Sequence, residues 1–173
     1  MKINIKGLLV LSITSFILFV FFLGLSKDQQ YNTRDLVGKE INNFRLEALV
    51  EKKPITREEL KNNKFTLINF WASWCSPCRL EHKYLLSLNK DFKLKILGIN
   101  FKDKNENATK FLEELGNPYF LLAKDNNGKE SINFGIYGIP ESILINKNLI
   151  VIKKFVGPIN EDSFKEIIKL INQ

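Results

Sequence analysis

An α/β sandwich on a mixed β-sheet, preceded by one membrane-spanning helix, is the fold class that this 173-residue sequence predicts. Three observations carry that expectation. Gly7 to Leu25 is almost wholly apolar and uncharged, about as long as a helix must be to cross the hydrocarbon core of a bilayer. Behind it, compact apolar runs alternate with segments whose apolar residues recur at helical spacing. The chain then closes on a hairpin pattern and a last helix. Strands alternating with helices before a hairpin read as a mixed sheet covered by helices.

Residues 1–6 carry Lys2 and Lys6. By the positive-inside rule this end stays in the cytoplasm, residues 7–25 form a signal-anchor helix, and the remainder is exported. A cleaved signal peptide is the rival reading. The apolar run is long for one, and Gly24-Leu25-Ser26 makes only a mediocre cleavage site. Residues 26–33 are polar and aperiodic, a juxtamembrane linker, and residues 34–173 form the folded domain.

Within that domain, Asp35 to Leu49 carries Leu36, Val37, Ile41, Phe44, Leu46 and Leu49, an opening strand or hairpin. In the charged segment 54–64, Thr56 can cap Arg57-Glu58-Glu59-Leu60. Phe65 to Trp71 has the apolar density of a central strand. The helix after Cys75 is expected to bury Leu80, Tyr84, Leu85 and Leu88, with Arg79, Glu81 and Lys83 on its polar side. Leu94 to Phe101 reads as a strand and Lys104 to Leu115 as a helix with Ala108, Phe111, Leu112 and Leu115 inward. Gly116 closes that helix. Tyr119 to Ala123 is a short strand, and Asp125-Asn126-Asn127-Gly128 a turn. Ser142 to Ile145 and Leu149 to Val156 flank Asn146-Lys147-Asn148 as a hairpin. Asn160 can cap a last helix bearing Phe164, Ile167, Ile168 and Ile171.

The chain has two cysteines, Cys75 and Cys78, in Trp74-Cys75-Ser76-Pro77-Cys78. They fall where the central strand gives way to a helix. A helix N-terminus carries partial positive charge and unpaired N–H groups, so it favours a thiolate at Cys75. Cys78, one turn on, can attack a mixed disulfide and release its product. Thiol–disulfide exchange is therefore the first reading. Other readings stay open on the residues alone. A zinc site needs about four ligands, while this chain offers the two cysteines and one histidine, His82. A structural disulfide is possible outside the cytoplasm, although so short a loop restrains the unfolded chain little. Pro77 suits a helix start, where its missing N–H has no intrahelical role.

The formal net charge is +7. The lysines are scattered, and no basic stretch is interleaved with aromatics, so nothing points to nucleic acid. The charge reads as a solubilising surface with some affinity for anionic lipid heads. An exported dithiol in an oxidising compartment stays reduced only if electrons are supplied to it.

Trp71-Ala72-Ser73-Trp74-Cys75-Ser76-Pro77-Cys78 and Tyr137-Gly138-Ile139-Pro140-Glu141-Ser142 together resemble the thioredoxin superfamily. Leu36-Val37-Gly38-Lys39, Phe44-Arg45-Leu46, Cys78-Arg79-Leu80-Glu81-His82, Leu115-Gly116-Asn117-Pro118-Tyr119 and Gly135 to Glu141 narrow the likeness. They resemble the CcmG (DsbE) family, membrane-anchored thiol:disulfide interchange proteins of cytochrome c biogenesis. The resemblance covers roughly residues 34–173 and implies a thioredoxin-like sandwich on the periplasmic side of the bacterial inner membrane. It implies a reductant that helps keep apocytochrome c haem-binding cysteines reduced. A DsbD- or CcdA-type membrane dithiol would recharge it, and apocytochrome c or a haem-ligation chaperone would be its client. No cofactor is implied, because the electrons pass through the dithiol.

The same resemblance assigns roles. Cys75 is the nucleophile and Cys78 the resolving thiol. Pro140 is a cis-proline facing them, leaving the backbone of Ile139 to pair with an extended client, and Trp74 lies against the active-site surface. Glu81 and Glu141 match acidic positions near the dithiol, where a carboxylate can raise thiol pKa values or move a proton. Asn69 stands where general thioredoxins carry a buried Asp. It cannot ionise, which shifts acid–base work to Glu81 and Glu141. His82 is expected on the helix surface and Trp71 in the core. Rival functions are an anchored reductase with another client, a disulfide-forming oxidase, or a client-binding module without redox turnover.

Overall fold

A computed structural model describes residues 4–25, 36–50 and 53–172. The chain divides into two compact units, Met1–Asn32 and Thr33–Gln173. Among its described residues the first holds one helix, α1 (Ile5–Leu25), of 21 residues, which rises about 31 Å. It is long and apolar enough to cross a membrane. Lys2 and the linker expected over residues 26–33 lie outside the described residues.

The second unit is built on a seven-stranded sheet in the order β2-β1-β5-β4-β3-β6-β7. Its strands are β1 (Arg45–Ala48), β2 (Ile55–Thr56), β3 (Phe65–Trp71), β4 (Lys95–Phe101), β5 (Leu121–Asp125), β6 (Glu141–Asn146) and β7 (Val151–Val156). β3, β4 and β5 run parallel, while β1, β2, β6 and β7 pair antiparallel. The sheet is therefore mixed. Parallel strands covered on both faces read as continuous apolar runs, and six of the seven residues of β3 are buried.

Two crossovers join the parallel strands, α2 (Ser76–Lys90) and α3 (Asn105–Leu115). Both step the same way along the sheet, and right-handed crossovers then put both helices on one face. The buried residues agree. Leu85 and Leu88 of α2, Phe111 and Leu112 of α3, and Ile167 of α5 (Glu161–Ile171) pack with Leu67, Trp71 and Leu144. On the other face, Ile68, Phe70, Leu97, Ile99 and Ile143 pack with Leu60 and Phe134. Alternation along a strand sorts the side chains: Leu67, Asn69 and Trp71 face α2, whereas Ile68 and Phe70 face away.

Most elements fall where the sequence places them, with their caps. Thr56 and Glu59 form the capping box of a 3₁₀ turn at Arg57–Leu60. Gly116, at φ 89°, closes α3 in a region costly for any residue with a Cβ. Asn160 Oδ1 accepts the Ser163 N–H at the start of α5.

Four details differ. The opening segment forms strand only at β1, with a single bridge from Glu40 to Ile150 before it. β5 begins and ends two residues later than the strand expected over Tyr119 to Ala123. A five-residue helix, α4 (Lys129–Asn133), follows the expected turn. On α2, Leu80 is 68% exposed, whereas Glu81 and His82 are 1% and 3% exposed. The inward face of α2 is Cys78, Glu81, His82, Leu85 and Leu88, so His82 is a core residue and not the surface residue expected. Its Nε2 lies 2.9 Å from the Gly116 carbonyl and its ring meets Phe111 edge-on. Burial lowers the pKa of His82, helped by Arg79.

Candidate active site

Ligand and redox sites of α/β sheets lie beyond the carboxyl ends of the parallel strands, and β3 and β4 deliver the cysteines and their supports there. β3 ends at Trp71. Cys75 caps α2 in extended conformation, and its Sγ accepts the Cys78 N–H at 3.2 Å. Cys75 and Cys78 form a disulfide with Cα atoms 5.3 Å apart. Pro77 occupies the first turn of the helix, where no N–H is required. A sulfur that already accepts a helix N-terminal N–H is placed for stabilisation as a thiolate once the disulfide opens.

The approach to Cys75 is fixed by a residue that sequence reading passed over. Asp103, in the loop after β4, accepts the Ser73 N–H at 2.6 Å and the Ser73 hydroxyl at 2.9 Å. Asn100 and the Lys104 N–H bind the same carboxylate. Beside it, the Trp74 indole N–H donates to the Lys102 carbonyl at 3.1 Å, with Trp74 59% exposed. The Trp74 face thus stays in solvent while its edge is held. The signal for Asp103 was a lone acidic residue between a strand and a helix, which composition cannot separate from a turn.

Beneath α2 lies a closed polar network. Asn69 Nδ2 donates to Glu81 Oε1 at 2.9 Å and to Ser142 Oγ at 3.0 Å. The Tyr119 hydroxyl donates to Asn69 Oδ1 at 3.0 Å, and the Ile159 N–H donates to Glu81 Oε2 at 2.7 Å. Glu81 stands one turn after Cys78 on the same buried face, the spacing at which helical side chains are neighbours. Burial raises the Glu81 pKa from 4.5 to about 7, against the opposing pull of the Ile159 and Asn69 N–H groups. A carboxyl poised there can exchange a proton near neutral pH. Burial, with Glu81 nearby, raises the Tyr119 pKa well above its ordinary value, so its O–H stays a donor.

Pro140 follows a cis peptide at Ile139 and immediately precedes β6. Register pairs Glu141 with Phe70, which sets Pro140 beside the end of β3, where the Cys75 segment departs. Glu141 does not join Glu81. It shares the other sheet face with Ile143 and forms a 2.7 Å ion pair with Lys154, their side chains 4% and 1% exposed. Glu141 Oε1 accepts the Tyr137 and Gly138 N–H groups, and Lys154 Nζ donates to the Gly135 carbonyl at 2.6 Å. The pair thereby holds the loop from Gly135 to Glu141. Sequence reading found Glu141 but not Lys154, whose burial on β7 a lysine pair gives no reason to expect.

Comparisons with known proteins bear on the folded unit as a whole. Redoxin matches residues 36–170. The thiol:disulfide interchange protein HelX of Rhodobacter capsulatus is 40% identical over 127 residues, 73% of this chain and 72% of that protein. The thiol:disulfide interchange protein DsbE of Vibrio cholerae is 40% identical over 131 residues, 76% of this chain and 71% of that protein. A crystal structure of a thiol:disulfide interchange protein of the thioredoxin family from Chlorobium tepidum superposes with a TM-score of 0.63 at 24% identity, covering 79% of this chain and 97% of the other. The sheet order, the disulfide at the start of α2 and these likenesses agree: the chain belongs to the Redoxin family and is a thioredoxin-like thiol:disulfide oxidoreductase of the DsbE type.

Proposed function

We propose that this protein is an anchored periplasmic reductant that serves cytochrome c maturation, with α1 holding it in the bacterial inner membrane. The observation that carries the chemistry is Cys75 at the N-cap of α2, its sulfur accepting the Cys78 N–H. In the reduced protein the Cys75 thiolate attacks one sulfur of a client disulfide, breaking that bond and forming a mixed disulfide. Cys78 then gives its proton to Glu81 and attacks the Cys75 sulfur. The client leaves as a dithiol, one of its sulfurs taking the proton held on Glu81 and the other a proton from solvent, and the Cys75–Cys78 disulfide remains. Two electrons and two protons from a membrane dithiol of the DsbD or CcdA type restore the starting state, one proton staying on Cys78 and the other passing to solvent as Cys75 ionises. Trp74, Ile139 and Pro140 grip the client chain, and Glu141 acts by anchoring the loop that carries Ile139 and Pro140. The client class, apocytochrome c cysteines or those of a haem-ligation chaperone, follows from the resemblance to the CcmG family.

The test is the equilibrium reduction potential of the full chain in detergent, followed by its rate with an oxidised peptide of the haem-attachment type, Cys-x-x-Cys-His. A potential near or below about −200 mV, with faster reduction of that peptide than of a control disulfide, supports the reading. A potential near about −120 mV makes the protein a disulfide-forming oxidase. A reducing potential without peptide preference assigns it to another client.

A further inference from the structure

Ser142, Asn69 and Gly98 stand side by side on β6, β3 and β4, paired by register and facing α2. A Cβ built on Gly98 would lie 2.6 Å from the Tyr119 ring. The missing side chain at Gly98 is therefore the seat of Tyr119. The ring also stacks on Trp71 with centroids 5.4 Å apart and planes 19° apart. Gly98 and Trp71 together aim one hydroxyl at one atom, Asn69 Oδ1, at 3.0 Å.

That contact decides which way the Asn69 amide points. An amide has one accepting oxygen and two donating N–H bonds. With Oδ1 held by Tyr119, both N–H bonds are left for Glu81 and Ser142. Turned over, the amide would offer its carbonyl to Glu81, a partner that only the protonated carboxyl can use. We propose that Tyr119 is a positioning residue of the dithiol reaction: its hydroxyl locks the Asn69 amide so that an N–H group, never a carbonyl, meets Glu81. Tyr119 acts on the proton carrier through one intervening residue, Asn69. This inference rests on the role proposed above for Glu81.

The groups around Glu81 leave few other influences. Cys78 is one turn back on α2, and Tyr119 lies near enough to feel the Glu81 charge. β3 and β6 supply the neutral Asn69 and Ser142, and the segment before α5 supplies the Ile159 N–H. Arg79 and His82, on the same helix, turn to Glu114 and Gly116. Glu141 and Lys154 are on the opposite sheet face.

The experiment is Tyr119→Phe in the full chain in detergent, with the Glu81 carboxyl titrated by carbon-13 NMR in the oxidised state and near-UV circular dichroism as the check on packing. Phenylalanine keeps the ring on Gly98 and Trp71 and removes only the lock. The Glu81 midpoint is expected to rise by roughly one pH unit, because the freed amide can accept from the protonated form. In an Asn69→Ala background the same change should move the midpoint by less than about a third as much, since the intermediary is gone. Should Tyr119→Phe lose its packing, Tyr119 biosynthetically replaced by 3-fluorotyrosine, a stronger donor of the same shape, is expected to shift the midpoint only when Asn69 is present. An unmoved midpoint in a packed variant overturns the proposal, as does an equal shift without Asn69. The pH profile of the exchange rate separates the two readings. A moved midpoint with an unmoved profile removes Glu81 from the mechanism and with it the positioning role of Tyr119 in the dithiol reaction, even though the Tyr119–Asn69 contact sets the Glu81 midpoint.

Discussion

Lys154 and Glu141 form an ion pair across β7 and β6 in which neither side chain reaches solvent to more than 4%. Removing one partner leaves a charge in the interior with nothing to balance it, which typically costs about 3–5 kcal/mol. Lys154→Met is expected to lose stability of that order in urea unfolding. Replacing both partners with apolar residues of similar volume should recover most of the loss. The single variant should also reduce client disulfides more slowly, because Lys154 holds the Gly135 carbonyl as well.

Glu81 makes stability depend on pH. Its pKa is about 7 in the folded protein, raised from 4.5 by burial. Below about pH 4.5 the group is protonated whether the chain is folded or not, and stability is unaffected. Between 4.5 and 7 the folded chain holds the proton more tightly, so stability falls as pH rises through that window. Glu81→Gln should therefore gain on the wild type by about 3 kcal/mol from pH 4 to pH 8 in the oxidised state. Urea midpoints across that range check it, and a flat difference refutes it.

Asp103 is the tether of the Cys75 approach. Asp103→Ala leaves the Ser73 N–H and hydroxyl without their acceptor, at a cost of about 2 kcal/mol for bonds to a charged group. Amide hydrogen exchange at Ser73 should accelerate in this variant, while exchange within β6 and β7 stays as in the wild type.

Gly98→Ala drives a methyl group into the Tyr119 ring at 2.6 Å. Overpacking of this kind costs about 1–3 kcal/mol. Thermal unfolding should show the loss, and the near-UV signal of the Trp71–Tyr119 stack should change with it.

Much of this arrangement is legible in the sequence because local signals and tertiary demands agree. Phe65 to Trp71 is a run buried on both faces, and its strand boundaries follow directly. Pro77, Gly116 and Asn160 mark helix ends by their own chemistry. The misplacements arise where a polar side chain is buried by partners far along the chain. Reading α2 by hydropathy puts Leu80 inside and Glu81 outside, yet Asn69 and Ile159 supply the donors that let Glu81 turn inward. His82 turns inward for the same reason, through a carbonyl 34 residues away. α4 spans five residues and is too short to show a period. The Tyr119 contact with Asn69 depends on a glycine in a different strand, a dependence that periodicity cannot display.

The two buried glutamates lie on opposite sides of one sheet, and under the proposed function this divides the labour of the site. Glu81 and its network occupy the side that bears the cysteines. Glu141 and Lys154 occupy the far side, where they brace the loop from Gly135 to Glu141. Strand β6 carries both lines of force on successive residues, Glu141 and Ser142, pointing opposite ways. Divergence in the bracing loop can thus retune which chains are accepted without disturbing proton traffic, and changes beneath α2 can reset the proton step without altering the grip.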